Sequence, residues 1–380
     1  MPKARPETRA AQALHGVDAR TGALVPPIEP GTTYARDEAY QLVGGLEYTR
    51  DDNPTPRHAE ALLTDLEGGA AALTFASGMA AATTFFQASL RPGDHVVAGR
   101  VMYYGLRRWL ADFCARFGVD VDFVDATAPG AISAAMRAGK TRVLWLETPG
   151  NPTWDIVDIA GAAQIAHAAG ALVAVDSTVA TPVCTQPLSL GADLVMHSAT
   201  KYLSGHGDVL AGALVTAQVD TLWQDVHRLH HDQGAVLAPF EAWLLLRGMR
   251  TLYVRVQRQC ETAARLADWL AVQPQVAQVC YPGLASHAGH DIARRQMPGG
   301  FGGMLSIRVR GGAMAALAVA SRLRVFARAT SLGGVESLVE HRATVEGKGS
   351  LAPEDLLRLS IGLEAPEDLL ADLEQALRAP

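Results

Sequence analysis

The feature that most constrains the fold of this chain is a regular alternation of short apolar runs with helix-like segments. The apolar runs are AALTFAS, HVVAG, VDVDFVD, RVLWLET, ALVAVDS and ADLVMHS. Between them lie GMAAATTFFQASL, LRRWLADFCARFG, PGAISAAMRAG and IAGAAQIAHAAG. Continuous apolar strands separated by helices are typical of an α/β fold wound around a mostly parallel sheet. Ligands of such folds bind at the carboxyl ends of the strands, so catalytic side chains are expected there.

The chain divides into three predicted regions. Its 380 residues exceed one typical core, which indicates more than one domain. Residues 1–50 are rich in turn formers and are expected to form an N-terminal arm. Residues 51–246 carry the alternating pattern and are predicted to form the large domain. A long helical stretch then leads into GMLSIRV, MAALAVASRL and PEDLLADLEQALR, which indicate a smaller C-terminal α/β domain over residues 247–380.

Composition excludes several classes of partner. The 33 basic and 39 acidic residues give a net charge of −6, which argues against a nucleic-acid or anionic-membrane partner. The sequence has no membrane-spanning apolar run and no secretory signal, and its four cysteines lack zinc-type or C-x-x-C spacing. A cytoplasmic protein with reduced thiols is therefore expected. No metal is expected either, because the HHD cluster at 230–232 has no further ligand set near it in sequence.

A single lysine, Lys201, lies among small, hydroxylated and glycine residues in HSATKYLSGHGD, shortly after an apolar run. Ser198 and Thr200 are close to it. Hydroxyls at this spacing, together with backbone N–H groups, can hold a phosphate dianion beside an amine. A second candidate phosphate site is FASGMAA, where Gly78 and Met79 begin a helix with free N–H groups.

A carboxylate completes this set of candidate residues. Asp176 ends an apolar run within VAVDSTVATP, and a buried carboxylate is costly unless it has a cationic partner. The protonated ring nitrogen of pyridoxal 5′-phosphate (PLP) would be such a partner. Lys201 would then form a Schiff base with the cofactor. Asp176 would keep the ring nitrogen of the cofactor protonated, so that the ring acts as an electron sink. Amine, carboxylate and phosphate site together predict a PLP enzyme.

On these and further motifs the sequence resembles the PLP-dependent enzymes of cysteine and methionine metabolism. This trans-sulfuration family includes cystathionine γ-synthase, cystathionine γ-lyase and methionine γ-lyase. The resemblance implies the aspartate-aminotransferase-like fold, PLP fold type I. The matching motifs run over nearly the whole chain and are DARTGALVPPI, TTY, YTRDDNPT, FASGMAA, LETPGNPT, VDSTVATP, HSATKYLSGHGDVLAG, PFEAWLLLRGMRTL, YPGL, GGFGGMLSI, SLGGVESL and LLRLSIGLE.

The resemblance implies roles for further residues. Tyr104 matches the tyrosine that stacks on the cofactor ring and takes part in catalysis, and Asn151 matches a residue near the phenolic oxygen. Arg358 in LRLSIG matches the arginine that binds the substrate α-carboxylate, a pairing that suits a guanidinium. Ser331 matches a serine that orients this arginine or the lysine. Asn151 and Ser331 are thus expected near the substrate.

The resemblance also implies an oligomer. Tyr48 and Arg50 of YTR match phosphate contacts that a neighbouring subunit donates, so the arm over residues 1–50 would contact that subunit. The phosphate contacts within one subunit would come from Gly78, Met79 and the two hydroxyl residues beside the lysine. A homo-oligomer built as a dimer of dimers, with active sites shared between subunits, is expected.

The activity that the resemblance implies is γ-elimination or γ-replacement on a γ-substituted L-amino acid, as in cystathionine γ-synthase or γ-lyase. The alternatives are cystathionine β-lyase, O-acetylhomoserine sulfhydrylase, methionine γ-lyase and a γ-lyase for a non-sulfur substrate such as canavanine. An ordinary aminotransferase is a further alternative. A non-enzymatic scaffold is the rival from another class. Lys201, Asp176 and Arg358 speak against it, because a scaffold has no need of costly buried charges.

Three departures from the family pattern concern the substrate. Synthase and γ-lyase members usually carry a glutamate just before S-L-G-G, and this chain has Thr330 there. The usual Y-G-G-T or Y-G-C-T stretch is YYGLRRWL. Its Arg107 and Arg108 are expected on a solvated helix face, and the alternative is that they bind an anionic group. The segment VEHRATVEGKGS replaces H-P-A-x-x-T-H. The neutral hydroxyl of Thr330 cannot make the charged contact of the glutamate with the distal amino group of cystathionine, which argues against cystathionine as substrate or product. The changed segment indicates either a different leaving group or acceptor, or harmless drift.

Overall fold

The protein, in a computed structural model that describes residues 4–378, contains two β-sheets. Seven strands form the larger sheet: β1 (Ala71–Phe75), β2 (His95–Gly99), β3 (Asp120–Val124), β4 (Thr141–Glu147), β5 (Leu172–Asp176), β6 (Leu194–His197) and β7 (Gly212–Thr216). All six apolar runs identified in the sequence form strands of this sheet. The predicted α/β fold is confirmed.

The strand order of the large sheet is β1-β7-β6-β5-β4-β2-β3. Strand β7 runs antiparallel to both of its neighbours, and every other pairing is parallel. The sequence analysis did not anticipate β7, because GALVT is a short run of small and apolar residues directly after a glycine-rich loop. The carboxyl ends of β4, β5 and β6 are adjacent, and this edge carries the polar residues of interest.

Helices and short helical turns connect these strands, and apolar clusters cover the sheet on both faces. Local signals fix their ends: the Asn53 side chain accepts a hydrogen bond from the Thr55 N–H at the start of α2, and Gly68 ends α2 at φ 71°. The helices are α2 (Pro54–Glu67), α3 (Gly78–Ser89), α4 (Tyr104–Phe117), α5 (Ala131–Ala135), α6 (Ile159–Ala168), α7 (Thr181–Cys184) and α8 (Thr221–Gln233).

The N-terminal region begins with a helix that its turn-rich sequence did not indicate. This helix, α1 (Pro6–Gln12), leads into a 3₁₀ turn at Ala13–His15. Ala10 packs into the core of the large domain, and Arg9 pairs with Asp65 at 2.5 Å. The chain from 16 to 53 is irregular, as expected for an arm.

The second sheet has five strands in the order β10-β11-β12-β9-β8. Its strands are β8 (Val276–Cys280), β9 (Met304–Val309), β10 (Ala327–Arg328), β11 (Leu338–His341) and β12 (Leu356–Ser360). The helices of this part are α9 (Pro239–Met249), α10 (Leu252–Ala271), α11 (His290–Gln296), α12 (Gly312–Arg322), α13 (Arg342–Glu346) and α14 (Pro366–Arg378). A smaller sheet beside the large one agrees with the expected architecture.

The long helical stretch between the two sheets is two helices, not one. Thr251 has φ −110° and ψ 9°, which breaks the helix between α9 and α10. The predicted domain boundary at residue 247 lies within α9, and the domain bounds stay a prediction. No helix among the described residues is both long and apolar enough to cross a membrane.

Candidate active site

One cavity of about 350 Å³ lies at the carboxyl ends of the large sheet's strands and reaches the second sheet. It is lined by every predicted site residue except Tyr48 and Arg50. The lining residues that the sequence analysis singled out for a role are Gly78, Met79, Tyr104, Asn151, Asp176, Ser198, Thr200, Lys201, Ser331 and Arg358.

Lys201 lies in the turn that follows β6, and its amine faces the second sheet. Its Nζ donates a hydrogen bond to Ser331 Oγ at 2.9 Å. Burial, together with the positive charge of Arg358, lowers the pKa of Lys201. A lowered pKa increases the fraction of Lys201 that is a neutral amine, which is the form that a nucleophile or general base requires.

Arg358, on β12, is anchored to the same serine. Its Nη2 donates to the backbone oxygen of Ser331 at 2.6 Å and pairs with Glu340 at 2.6 Å. Burial lowers the pKa of this guanidinium to about 10, which leaves it charged at neutral pH. Its buried Nε has no hydrogen-bond partner among residues 4–378, so the guanidinium retains a donor for a ligand.

Two buried carboxylates lie side by side on β4 and β5. Glu147 and Asp176 are paired residues of these neighbouring strands. Burial, reinforced by the negative charge of Asp176, raises the pKa of Glu147 to about 8, and burial likewise raises the pKa of Asp176. The sequence analysis noted Glu147 as a strand end but gave it no role. Its oxygens accept the backbone N–H groups of Tyr103 at 2.6 Å and Asn151 at 3.3 Å.

The N-terminus of α3 meets the end of β6 in close contact. Ser77 caps this helix by accepting the Ala80 N–H at 3.0 Å. A Cβ on Gly78 would lie only 2.9 Å from the Cβ of Ser198, so this approach requires glycine. Thr200 is fixed by two hydrogen bonds with the backbone of Ala211. A helix N-terminus and two hydroxyl residues therefore face one end of the cavity, an arrangement suited to a phosphate.

The cavity is also lined by Tyr103 and Arg342, which the sequence analysis did not single out, and by Thr330, which it named only as a departure from the family pattern. Tyr103 lines it beside Tyr104, with 5.1 Å between the two ring centroids. The Arg342 guanidinium lies 5.1 Å from the Tyr104 ring centroid. The first tyrosine of YYG and the arginine within VEHRATV were the available sequence signals for Tyr103 and Arg342.

Tyr48 and Arg50 lie outside this cavity in the single chain. The Arg50 guanidinium is 5.4 Å from the Tyr48 ring centroid, and the tyrosine is 42% exposed. The fold of a single chain therefore does not bring these two residues to Lys201.

The cavity residues fit PLP. The N-terminus of α3 and the Ser198 hydroxyl suit a phosphate at this end of the cavity, whereas the Thr200 hydroxyl already donates to the Ala211 carbonyl oxygen at 3.0 Å. Burial raises the pKa of Asp176 because it disfavours the charged carboxylate. A protonated ring nitrogen beside Asp176 would favour that charge again, and the carboxylate would in turn stabilise the protonated nitrogen. Asn151 Oδ1 is buried and has no hydrogen-bond partner among the described residues, so it can accept from a bound group.

Comparisons with known proteins agree with this geometry. Residues 7–378 match the profile of the family described as Cys/Met metabolism PLP-dependent enzyme. The chain is 47% identical over 377 residues to a cystathionine gamma-synthase of Mycobacterium tuberculosis, covering 98% of this chain and 96% of the relative. It is 44% identical over 384 residues to an L-methionine gamma-lyase of Pseudomonas putida, covering 96% of each.

A solved structure gives the same result for the fold. Cystathionine gamma synthase from Xanthomonas oryzae pv. oryzae in complex with cystathionine superposes with a TM-score of 0.94 at 37% identity. The match covers 99% of this chain and 98% of that one.

Proposed function

Because the chain belongs to the Cys/Met metabolism PLP-dependent enzyme family, we propose that it uses the Lys201 cavity for γ-replacement or γ-elimination on a γ-substituted L-amino acid. Its cofactor is PLP, as in the rest of the family. When bound, PLP withdraws electrons from the substrate Cα and so makes the Cα–H bond acidic.

The observation that supports assigning this reaction to the cavity is that Ser331 binds both Lys201 and Arg358. Its Oγ accepts the Lys201 amine at 2.9 Å, and its backbone oxygen accepts the Arg358 guanidinium at 2.6 Å. A guanidinium that binds the α-carboxylate of an amino acid would thus hold the substrate Cα beside a lysine amine. This is the geometry that proton removal at Cα requires.

Each of these cavity residues has its own role in the proposed reaction. Lys201 Nζ takes the Cα proton and returns it to another carbon, a task that suits an amine on a flexible stem. Arg358 binds the α-carboxylate, and Ser331 orients both groups. Asp176 stabilises the protonated ring nitrogen, and the α3 N-terminus with Ser198 and Thr200 binds the phosphate.

Tyr103 and Tyr104 are both candidates for the residue that stacks on the cofactor ring. The Arg342 guanidinium already lies over the ring of Tyr104, and the backbone N–H of Tyr103 is fixed by buried Glu147. We therefore extend the proposal to Tyr103, which the sequence analysis did not consider. A tyrosine whose backbone is tied to the strand end is better held against a planar cofactor.

We also propose that the active site is completed by a second copy of the chain. Tyr48 and Arg50 lie outside the cavity of their own subunit, and exposed apolar side chains such as Leu24, Tyr40 and Val43 lie in the same arm. A homotetramer built as a dimer of dimers is the proposed assembly. A cytoplasmic location is likewise proposed, on the ground that the four cysteines are buried and free.

The test is a product assay with PLP-loaded enzyme. O-succinylhomoserine, O-acetylhomoserine, cystathionine, methionine and canavanine are each supplied with and without cysteine, and Lys201→Ala serves as the inactive control. We expect 2-oxobutanoate from elimination, cystathionine when cysteine is present, or homoserine from canavanine. Pyruvate from cystathionine would instead identify a β-lyase. A stable pyridoxamine form would identify an aminotransferase, and no product from any substrate would contradict the proposed reaction.

A further inference from the structure

We propose that Cys184 and Cys260 are a site of reversible oxidation, at which a peroxide converts the two thiols into a disulfide and thereby weakens PLP binding. The two sulfur atoms lie 3.9 Å apart, and both residues are buried in one apolar cluster. A disulfide requires a separation of about 2 Å, so the sulfurs must approach by about 2 Å more. The inference goes beyond the proposed function and does not depend on which reaction the enzyme catalyses.

The two cysteines belong to different parts of the fold. Cys184 is the last residue of α7, the turn that follows β5, and Cys260 lies within α10. The two helices pack against each other, and α10 also packs on β8 and β9 of the second sheet. A disulfide would therefore join a segment next to the strand end of Asp176 to a helix that supports the second sheet.

The two thiols differ in character, as the two partners of a disulfide-forming reaction should. Their hydrogen bond lowers the pKa of Cys260, with help from the Gly302 N–H, and together with burial it raises the pKa of Cys184. The thiolate is the reactive form, so Cys260 is the nucleophile and Cys184 the resolving thiol. Burial raises the pKa of Cys114 and of Cys280 to about 11, which makes both less reactive.

The surroundings of the pair allow a small oxidant to reach it. Helix α7 is a single turn of four residues, and it begins at Thr181 with φ 58°, a strained conformation for a β-branched residue. The glycine-rich segment GGFGG lies against both cysteines. A Cβ on Gly300 would lie 3.0 Å from the Cys260 Sγ, and one on Gly299 would lie 1.8 Å from the Val183 carbonyl oxygen. Short strained turns open locally more readily than core strands.

The oxidation consumes one peroxide for each disulfide. The Cys260 thiolate attacks one peroxide oxygen, the O–O bond breaks, and a sulfenic acid forms as hydroxide leaves and takes up a proton. Cys184 then attacks the sulfenic sulfur, the S–S bond forms, and a second water leaves with the Cys184 proton. Two thiols and one peroxide thus give one disulfide and two waters. A dithiol reductant returns both cysteines to thiols.

A shift of α7 would be passed on to the cofactor site through Thr178, which lies between Asp176 and this helix. The Thr178 N–H donates to Asp176 Oδ1 at 3.0 Å, and its Oγ1 accepts the Ser198 N–H at 2.8 Å. Closing the disulfide therefore disturbs both the carboxylate and the phosphate side of the cavity. We expect the Kd for PLP to rise at least about threefold in the oxidised protein.

Peptide mapping tests whether the disulfide forms. Reduced, PLP-loaded wild type is treated with hydrogen peroxide in native buffer, its remaining thiols are alkylated, and a non-reducing digest is analysed by mass spectrometry. We expect the Cys184–Cys260 link to be at least about tenfold more abundant than any other cysteine pair, because the fold holds these two sulfurs together. Dithiothreitol should restore all four free thiols. In Cys184→Ser, dimedone should label Cys260.

Equilibrium dialysis of the cofactor-free protein tests the effect on PLP. The Kd for PLP is measured before peroxide treatment, after it, and after reduction with dithiothreitol. Cys184→Ser controls for oxidation elsewhere, and its Kd should not respond to peroxide. Cys114→Ser is the matched control at a buried cysteine outside the pair, and it should respond as wild type does.

The outcomes decide each part of the proposal. A link that forms only after unfolding in urea, or oxidation of Cys260 without a link to Cys184, would overturn the disulfide site. An unchanged Kd for PLP in the linked protein, or an equal rise in Cys184→Ser, would overturn the effect on the cofactor. The γ-reaction is tested separately by the product assay, since reduced enzyme is used there.

Discussion

The two walls of the cavity differ in how they are built. The cofactor wall, formed by Gly78, Asp176, Ser198 and Lys201, stands on the strand ends of the large sheet and the N-terminus of α3. The far wall, formed by Thr330, Arg342 and Val345, comes from the segment before β11 and from the short helix α13. Backbone packing determines the first wall, and side-chain identity determines the second. Two of the three departures from the family pattern occur at the far wall, where residues can change without disturbing the sheet.

Removal of the amine at the cofactor wall should have the largest effect. Lys201→Ala removes the group proposed to move the Cα proton, and we expect kcat to fall by at least about 10³-fold with every substrate. Turnover of the best substrate from the product assay provides the measurement. Cofactor retention is followed alongside. A variant that kept more than a tenth of wild-type kcat would contradict the role of Lys201.

A change of a single methyl group should separate backbone packing from side-chain chemistry. The Cβ of Gly78→Ala would lie 2.9 Å from the Ser198 Cβ and force α3 away from β6. We expect the Kd for PLP to rise at least about tenfold. Gly99→Ala is the matched control, because a Cβ at this buried strand end meets only ordinary contacts of 3.5 Å or more. An equal rise of the Kd for PLP in both variants would argue against a phosphate site that depends on the close approach of Gly78 to Ser198.

Buried carboxylates should make the cofactor-free protein less stable as the pH rises. The folded-state pKa of Glu147, about 8, lies above its usual value of 4.5, so folding binds a proton between these values. The contribution of Glu147 is present at low pH and is lost as the pH rises through about 8. Glu147→Gln should therefore lose less stability than wild type between pH 5 and pH 8, by at least about 1 kcal/mol. Urea unfolding of both proteins at pH 5 and pH 8 measures this difference. An equal loss of stability in wild type and in Glu147→Gln would contradict the raised pKa of Glu147.

The smallest effect is expected at the outer edge of the far wall. Arg107 lines a second hollow of about 670 Å³, which shares Tyr104 and Asn151 with the Lys201 cavity, and its guanidinium lies 5.3 Å from the Phe123 ring centroid. Arg107→Gln should lower kcat/KM for an anionic ester about two- to fivefold, chiefly through slower association, and the loss should shrink at high salt. A loss that did not depend on salt would point to packing and not to charge.

The sequence indicated that the residues of the cofactor wall lie close together because its signals are local, while their roles stay a prediction. Apolar runs that end in Asp176 and near Ser198 indicate parallel strands, and the carboxyl ends of such strands meet at one edge. The far wall depends on contacts between distant residues, which spacing does not reveal. The proximity of Arg342 to Tyr104 joins the first residues of α13 and α4, which are far apart in sequence. The sharing of Glu340 between two arginines depends on the register of β11 and β12. The break between α9 and α10 at Thr251 and the strand β7 were missed because neither has a clear periodic pattern, and the glycines near them did not by themselves indicate a helix end or a strand.

The most direct test of the account is chemical trapping of the cofactor on the protein. The PLP-loaded enzyme is reduced with borohydride and digested, and the modified peptide is identified by mass spectrometry. The account predicts a phosphopyridoxyl group on Lys201, in the peptide that contains HSATKYLSGHGD. A stoichiometric adduct on Lys3, Lys140 or Lys348, with Lys201 unmodified, would contradict it.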